Sequence, residues 1–189
     1  MGRPRDRTID EAVLSVTLDH LARDGYAAMS LAAVASEAGT TRPALYRRWA
    51  GKEELVVAAL ATVAATSAGE PSGDLFEDLI GELEAFAAAI TSANSLSVVG
   101  LMLSGTVSPR VLQRYRELIV APRRGRLTMC LERAVRAGRL PRDADVPLVV
   151  TMLTGSWYGY ALAGYRPPQD WPHRVAAAAW RACGAEPPP

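Results

Sequence analysis

The sequence predicts an all-α fold, with an N-terminal three-helix helix-turn-helix domain ahead of a larger helical region. Three observations predict it. Alanine and leucine recur at helical spacing, while strict apolar–polar alternation is scarce. Glycines and capping residues punctuate the chain at helix-length intervals. Two short helical segments meet at a tight turn, Gly39–Thr40, which is the arrangement a helix-turn-helix needs.

The elements follow in order. Thr8 and Glu11 form a T-x-x-E capping box, so the first helix is expected from near Ile9, with Gly25 ending it as a C′ residue. Ser30 can cap a short second helix carrying Leu31, Val34, Ala35 and Ala38, stopped by Gly39. Thr41 can cap a third helix that tolerates Pro43 in its first turn. Gly51 breaks that helix, and a fourth is expected from about Lys52 to Thr66. Ser67 to Asp74 (SAGEPSGD) reads as a linker. The domain boundary is therefore expected there, with residues 1–66 as one domain and 67–189 as the other.

Further helices are expected near Asp74–Thr91, Leu96–Ser104, Pro109–Val120 and Arg123–Ala137. The break at Ala121–Pro122 can equally be a kink in one long helix. Gly138 to Pro147 forms a second break, and a very apolar helix then runs to about Tyr165. The last helix is capped by Asp170, holds Pro172 in its first turn and ends at Gly184.

Composition excludes several classes. Apolar residues make up 49% of the chain, enough for a substantial core. Cys130 and Cys183 make neither a disulfide framework nor a metal cluster, and read as ordinary buried thiols. His20 reads as a partly buried helix histidine and His173 as a surface cap residue, neither at metal-ligand spacing. There is no activated-nucleophile motif, no Gly-rich phosphate loop and no spaced carboxylate pair. Glu82 and Glu84 lie two apart on a helix and so do not face one site. No enzyme, metal or cofactor is expected. The polar, basic start has no apolar stretch behind it, so a cytoplasmic protein without a signal peptide is expected. Val146–Tyr165 carries no charge and has the length of a membrane span. It also holds Pro147, Gly155, Gly159 and Gly164, and reads as a buried or dimer-forming helix instead.

The net charge of +1 does not announce a nucleic-acid partner, but the charge distribution does. Arg42, Arg47, Arg48 and Lys52 fall between Gly39 and Lys52 with no acidic residue among them, and Lys52 is the only lysine in the chain. Leu45 and Trp49, four apart, can face the core. Arg42, Ala44, Tyr46, Arg47 and Arg48 are then expected on the other side, where donors, small groups and hydroxyls suit base edges and phosphates. Arg3, Arg5 and Arg7 form a second basic cluster, either a frayed tail or a minor-groove arm.

The segments Gly25-Tyr26, Ser30-Leu31, Val34-Ala35, Ala38-Gly39, Thr41 through Trp49, and Lys52 through Leu55 resemble the tetracycline-repressor-like (TetR) family over roughly Thr8 to Leu60. The resemblance implies a homodimeric transcriptional repressor of double-stranded operator DNA. It places Ser30, Tyr46 and Lys52 at phosphate contacts, and Thr40, Thr41, Arg42, Pro43 and Ala44 facing bases. Arg47 and Arg48 stand where that family varies. The resemblance also implies that the last two helices pair with their mates in a dimer. Small residues fit this in Gly155, Gly159 and Ala163 and in Val175, Ala178, Ala179 and Ala182, although the same stripes could pack inside one subunit.

The expected effector is a small apolar or aromatic molecule. Phe86, Met102, Met129, Met152, Trp157, Tyr158 and Tyr160 are the candidate lining, with Thr151 and Thr154 as orienting groups. Plain core packing is the alternative for each. Two other functions stay open at this point: an effector-free architectural DNA-binding protein, and an all-helical enzyme.

Overall fold

The computed structural model describes residues 7–63, 69, 71–91 and 95–188. Arg3 and Arg5 lie outside these residues, as do positions 67, 68 and 70 of the expected linker 67–74 and the expected end of the fourth helix at 64–66. Among the described residues there are ten α-helices, one π-helical segment and no strand. The helices are α1 (Arg7–Ala28), α2 (Leu31–Glu37), α3 (Arg42–Arg48), α4 (Lys52–Val63), α5 (Leu75–Thr91), α6 (Ser95–Leu103), α7 (Pro109–Tyr115), α8 (Ala121–Arg136), α9 (Val146–Leu162) and α10 (Trp171–Ala182).

Local chemistry sets most of these boundaries. Helix α1 is already helical at Arg7, so Thr8 lies inside it rather than capping it near Ile9. Gly25 interrupts α1 with φ 77° and ψ 166°, a conformation that a side chain would strain, and one further turn follows to Ala28. Ser30 and Thr41 cap α2 and α3 through hydrogen bonds from Ala33 N and Ala44 N. Gly39, at φ 66°, makes the turn between them. Asp74 caps α5 by accepting from the N–H groups of Phe76 and Glu77 at 2.9 and 3.1 Å.

Helix continues through Pro122, but with residues Arg116–Val120 in a π-helical segment just before it. Pro122 has no N–H for the carbonyl of Leu118, and its ring crowds that carbonyl. A widened preceding turn relieves both problems. Helix α9 stops at Leu162, short of the expected Tyr165, because Gly164 turns the chain at φ 77°.

The chain forms two compact units, Met1–Ala65 with Thr91–Val120, and Thr66–Ile90 with Ala121–Pro189. In the first, α1 packs on α2, α4 and α6, α2 on α3, and α4 on α7. Its core holds Val13, Leu21, Val34, Leu45, Leu55 and Leu60 from the N-terminal helices, joined by Val98, Met102, Val111 and Tyr115. In the second, α9 packs on both α8 and α10. Its core includes Leu79, Leu83, Leu131, Leu153, Trp171 and Trp180. No single described helix is long and apolar enough to cross a membrane.

Candidate nucleic-acid interface

The interface is built on α2, the Gly39 turn and α3. Leu45 is 2% exposed and Trp49 packs against the same core, so the inward face of α3 is fixed. Truncating Leu45 to alanine would cost about 2–5 kcal/mol. That anchoring leaves Thr41, Arg42, Pro43, Tyr46 and Arg47 exposed, with Thr40 and Ala44 half-buried beside them and Ser30 exposed at the start of α2. The Arg42 guanidinium donates to the Tyr46 hydroxyl at 3.3 Å and lies 5.5 Å from that ring's centroid.

Arg48 does not join this face. It turns back to α1, where its Nε meets Asp10 Oδ1 at 2.8 Å with both side chains about four-fifths covered. That ion pair ties α3 to α1 and withdraws the Arg48 charge from the outward surface.

Lys52 has a structural partner. Its Nζ donates to the carbonyl of Ala27 at 3.0 Å and sits 4.9 Å from the centre of the Tyr26 ring. A cation there satisfies an end carbonyl of α1 and complements that helix's dipole. Partial burial lowers the Lys52 pKa from its ordinary value. Glu54 in turn accepts from Ala50 N at 2.9 Å, closing the turn between α3 and α4.

The clamp that orients α2 was not visible in the motif. His20, 3% exposed on α1, places Nδ1 3.0 Å from Asp24 Oδ2 and Nε2 2.9 Å from Glu37 Oε2 on α2. Arg23 Nη2 lies 3.2 Å from both ring nitrogens. The hydrogen-bonded Arg23 guanidinium, with His20 adding to it, holds the Asp24 carboxyl below the usual carboxylate range. The four-residue spacing of His20 and Asp24 is legible in sequence, but the partnership with Glu37 needs the fold.

The effector candidates differ in their surroundings. Met102 belongs to the core of the first unit, because α6 packs on α1. Met129 and Met152 are 54% and 48% exposed. Phe86, Trp157 and Tyr158 do gather: Phe86 meets Tyr158 edge-on at 6.0 Å and Trp171 at 6.0 Å, and Trp157 meets Tyr158 at 6.4 Å. Burial raises the Tyr158 pKa, with Arg123 nearby acting in the opposite direction. Tyr160 is half-buried. The hydroxyls of Thr151 and Thr154 donate to Pro147 and Val150 carbonyls within α9. A cleft of about 180 Å³ does exist in this unit, and the charged side chains Asp78, Glu82 and Arg133 line it beside Cys130.

The small-residue stripe of α9 is outward-facing. Gly155, Gly159 and Ala163 are exposed, and a Cβ added at either glycine would meet nothing within 4 Å. Leu148 and Met152 extend the same face at 54% and 48% exposure. On α10, Ala178 and Ala182 are exposed and Val175 is half-buried. Ala179 departs from that stripe: it is 3% exposed and belongs to the buried side with Ala176 and Trp180.

A helix-turn-helix anchored by its inward face, with cations and hydroxyls outward, defines the class of helix-turn-helix transcriptional regulators. Residues 69–179 match the family described as "Tetracyclin repressor-like, C-terminal domain", and residues 13–59 match "Bacterial regulatory proteins, tetR family". The chain belongs to the TetR family of transcriptional regulators, which are not enzymes. It is 24% identical over 155 residues to the uncharacterized HTH-type transcriptional regulator YdeS of Bacillus subtilis, covering 82% of this chain and 78% of that one. It is 40% identical over 81 residues to the DNA-binding transcriptional repressor TetR of Mycobacteroides abscessus, covering 42% and 43%. Among solved structures, the flavonoid-responsive regulator FrrA superposes with a TM-score of 0.73 at 19% identity, covering 97% of this chain and 99% of that one. A TetR-family regulator from Marinobacter aquaeolei gives 0.71 at 21% identity, covering 96% and 98%.

Proposed function

We propose that this protein is a ligand-responsive repressor that binds a palindromic operator in double-stranded DNA as a homodimer and is released by a small apolar or aromatic effector. Residues 1–66 read the DNA, and residues 67–189 dimerise and hold the effector in the cytoplasm. The observation that carries the reading is the outward face of α3, where Arg42, Tyr46 and Arg47 are exposed because Leu45 and Trp49 anchor the other side. Thr40, Thr41, Pro43 and Ala44 present small groups and hydroxyls to bases, while Ser30 and the remaining donors of Lys52 reach phosphates. Arg48 supports the head through Asp10.

Dimerisation is supported by the exposed apolar face of α9, since a helix with glycines on an unfilled face lets another helix approach closely. The aromatic group of Phe86, Trp157 and Tyr158 supports an apolar or aromatic effector. Effector and DNA then act through linkage: the effector favours a dimer whose heads are wrongly spaced, and each ligand lowers the affinity for the other by one factor.

A titration with duplexes carrying one or two half-sites tests this. Two protomers should bind the two-half-site duplex, with half-sites about 34–36 Å apart. A compound that raises the melting temperature should release that duplex in the same concentration range, because both effects draw on one binding free energy. Binding of a single protomer with equal affinity to both duplexes would overturn the dimeric reading.

A further inference from the structure

We propose that Tyr46 acts on base specificity through Arg42, by holding the Arg42 guanidinium in one reading pose, rather than as a phosphate contact of its own. This rests on the reading of α3 as the recognition helix and departs from the phosphate role that family resemblance assigns to Tyr46.

The two side chains lie one turn apart on α3 and touch in two ways. Arg42 Nη2 donates to the Tyr46 hydroxyl at 3.3 Å, and the guanidinium carbon lies 5.5 Å from the ring centroid, within cation–π range. Arg42 and Arg48 therefore differ in kind. Arg48 is committed to Asp10 on α1. Among the described residues no carboxylate pairs with Arg42, so its charge stays available to DNA while its direction is restrained by a neutral aromatic partner.

A guanidinium reads guanine by donating two parallel hydrogen bonds to O6 and N7, which demands a fixed plane. An exposed arginine must lose several rotamers to meet that demand. Tyr46 removes part of that loss before DNA arrives. The restraint favours only the base that rewards the held pose, so its removal weakens discrimination at one base pair and leaves the others alone.

The test is a comparison of base preferences by competition binding for wild type, Tyr46→Phe, Tyr46→Ala, Arg42→Ala and the Arg42→Ala/Tyr46→Ala double variant. Tyr46→Ala should reduce discrimination at a single position in each half-site by between about two- and tenfold, the ordering cost of one long side chain. Tyr46→Phe, which keeps the ring and loses the hydroxyl, should fall between wild type and Tyr46→Ala. In the Arg42→Ala background the second substitution should change base preference no further. A uniform loss at all sequences, with the salt slope falling by about one unit and the same loss persisting without Arg42, would identify a phosphate contact and overturn the proposal. A wild-type protein with no base preference would remove the underlying reading, and this inference with it.

Discussion

His20 on α1 and Glu37 on α2 meet at 2.9 Å, Nε2 to Oε2, across the interior edge of the helix-turn-helix. Asp24 takes the other ring nitrogen at 3.0 Å. The ring thus fixes the angle at which α2 leaves α1, and α2 in turn sets where α3 lies. His20→Ala should cost about 1–3 kcal/mol, since it removes two side-chain hydrogen bonds, each contributing about 0.5–1.5 kcal/mol. Urea unfolding would measure it, and an unchanged midpoint would show that the clamp is idle.

Gly159→Leu separates subunit folding from assembly. Inside one subunit the new side chain meets open space, and leucine favours helix over glycine by up to about 1 kcal/mol. Stability of the subunit should therefore hold or rise. Against a partner helix the same side chain overfills the seam by about 1–3 kcal/mol, which weakens the dimer roughly five- to 150-fold. Light scattering across a dilution series should show the variant dissociating at higher concentration than wild type. Identical dissociation would move the interface away from α9.

Lys52→Ala should do two things at once. It removes the donor to the Ala27 carbonyl and the cation beside Tyr26, which together contribute about 1 kcal/mol at a partly exposed site. It should also weaken binding to every DNA sequence and flatten the salt slope by about one unit. A lower melting temperature with an unchanged salt slope would limit Lys52 to its structural contact.

Asp78 governs acid stability of the second unit. Burial alone would raise its pKa, but hydrogen bonds from Ser72 and Arg133 outweigh it and hold the carboxyl below the usual range. A folded-state pKa below the unfolded value gives stability that is complete above the unfolded pKa of about 4 and is lost as pH falls through the folded one. Arg133→Ala should therefore unfold at higher pH than wild type and show a flatter rise of stability with pH below about pH 4. Superimposed acid-unfolding curves would contradict this.

Cys130 should resist alkylation. Burial, with Glu82 and Asp78 close by, pushes its thiol pKa up to about 11. The thiolate is the reacting species, so its population near pH 7.5 is roughly two orders of magnitude or more below that of a free cysteine. Iodoacetamide with mass mapping should find Cys130 unmodified in the folded protein and modified in urea. Rapid labelling of native protein would mean that the cleft opens.

Much of the helix-turn-helix was legible because local signals carry it. Ser30, Gly39 and Thr41 are caps and turns whose chemistry acts within four residues, and the Leu45–Trp49 spacing fixes the inward face of α3. Arg48 was not legible, since its partner Asp10 lies on another helix and nothing local separates it from Arg47. The surroundings of Met102 were not legible for a similar reason: sequence shows an apolar side chain beyond the linker, while α6 packs on α1 and carries Met102 into the first unit's core. The π-helical segment before Pro122 was half legible, as the proline signals stress on the helix but not how the backbone relieves it.

Selection of bound duplexes from a random-sequence pool at moderate salt is the decisive measurement of base-specific binding by α3. Enrichment of an inverted repeat with half-sites about one helical turn apart is expected, with loss of one selected base pair per half-site in Arg42→Ala. A pool that remains random after repeated rounds with folded wild-type protein would contradict it.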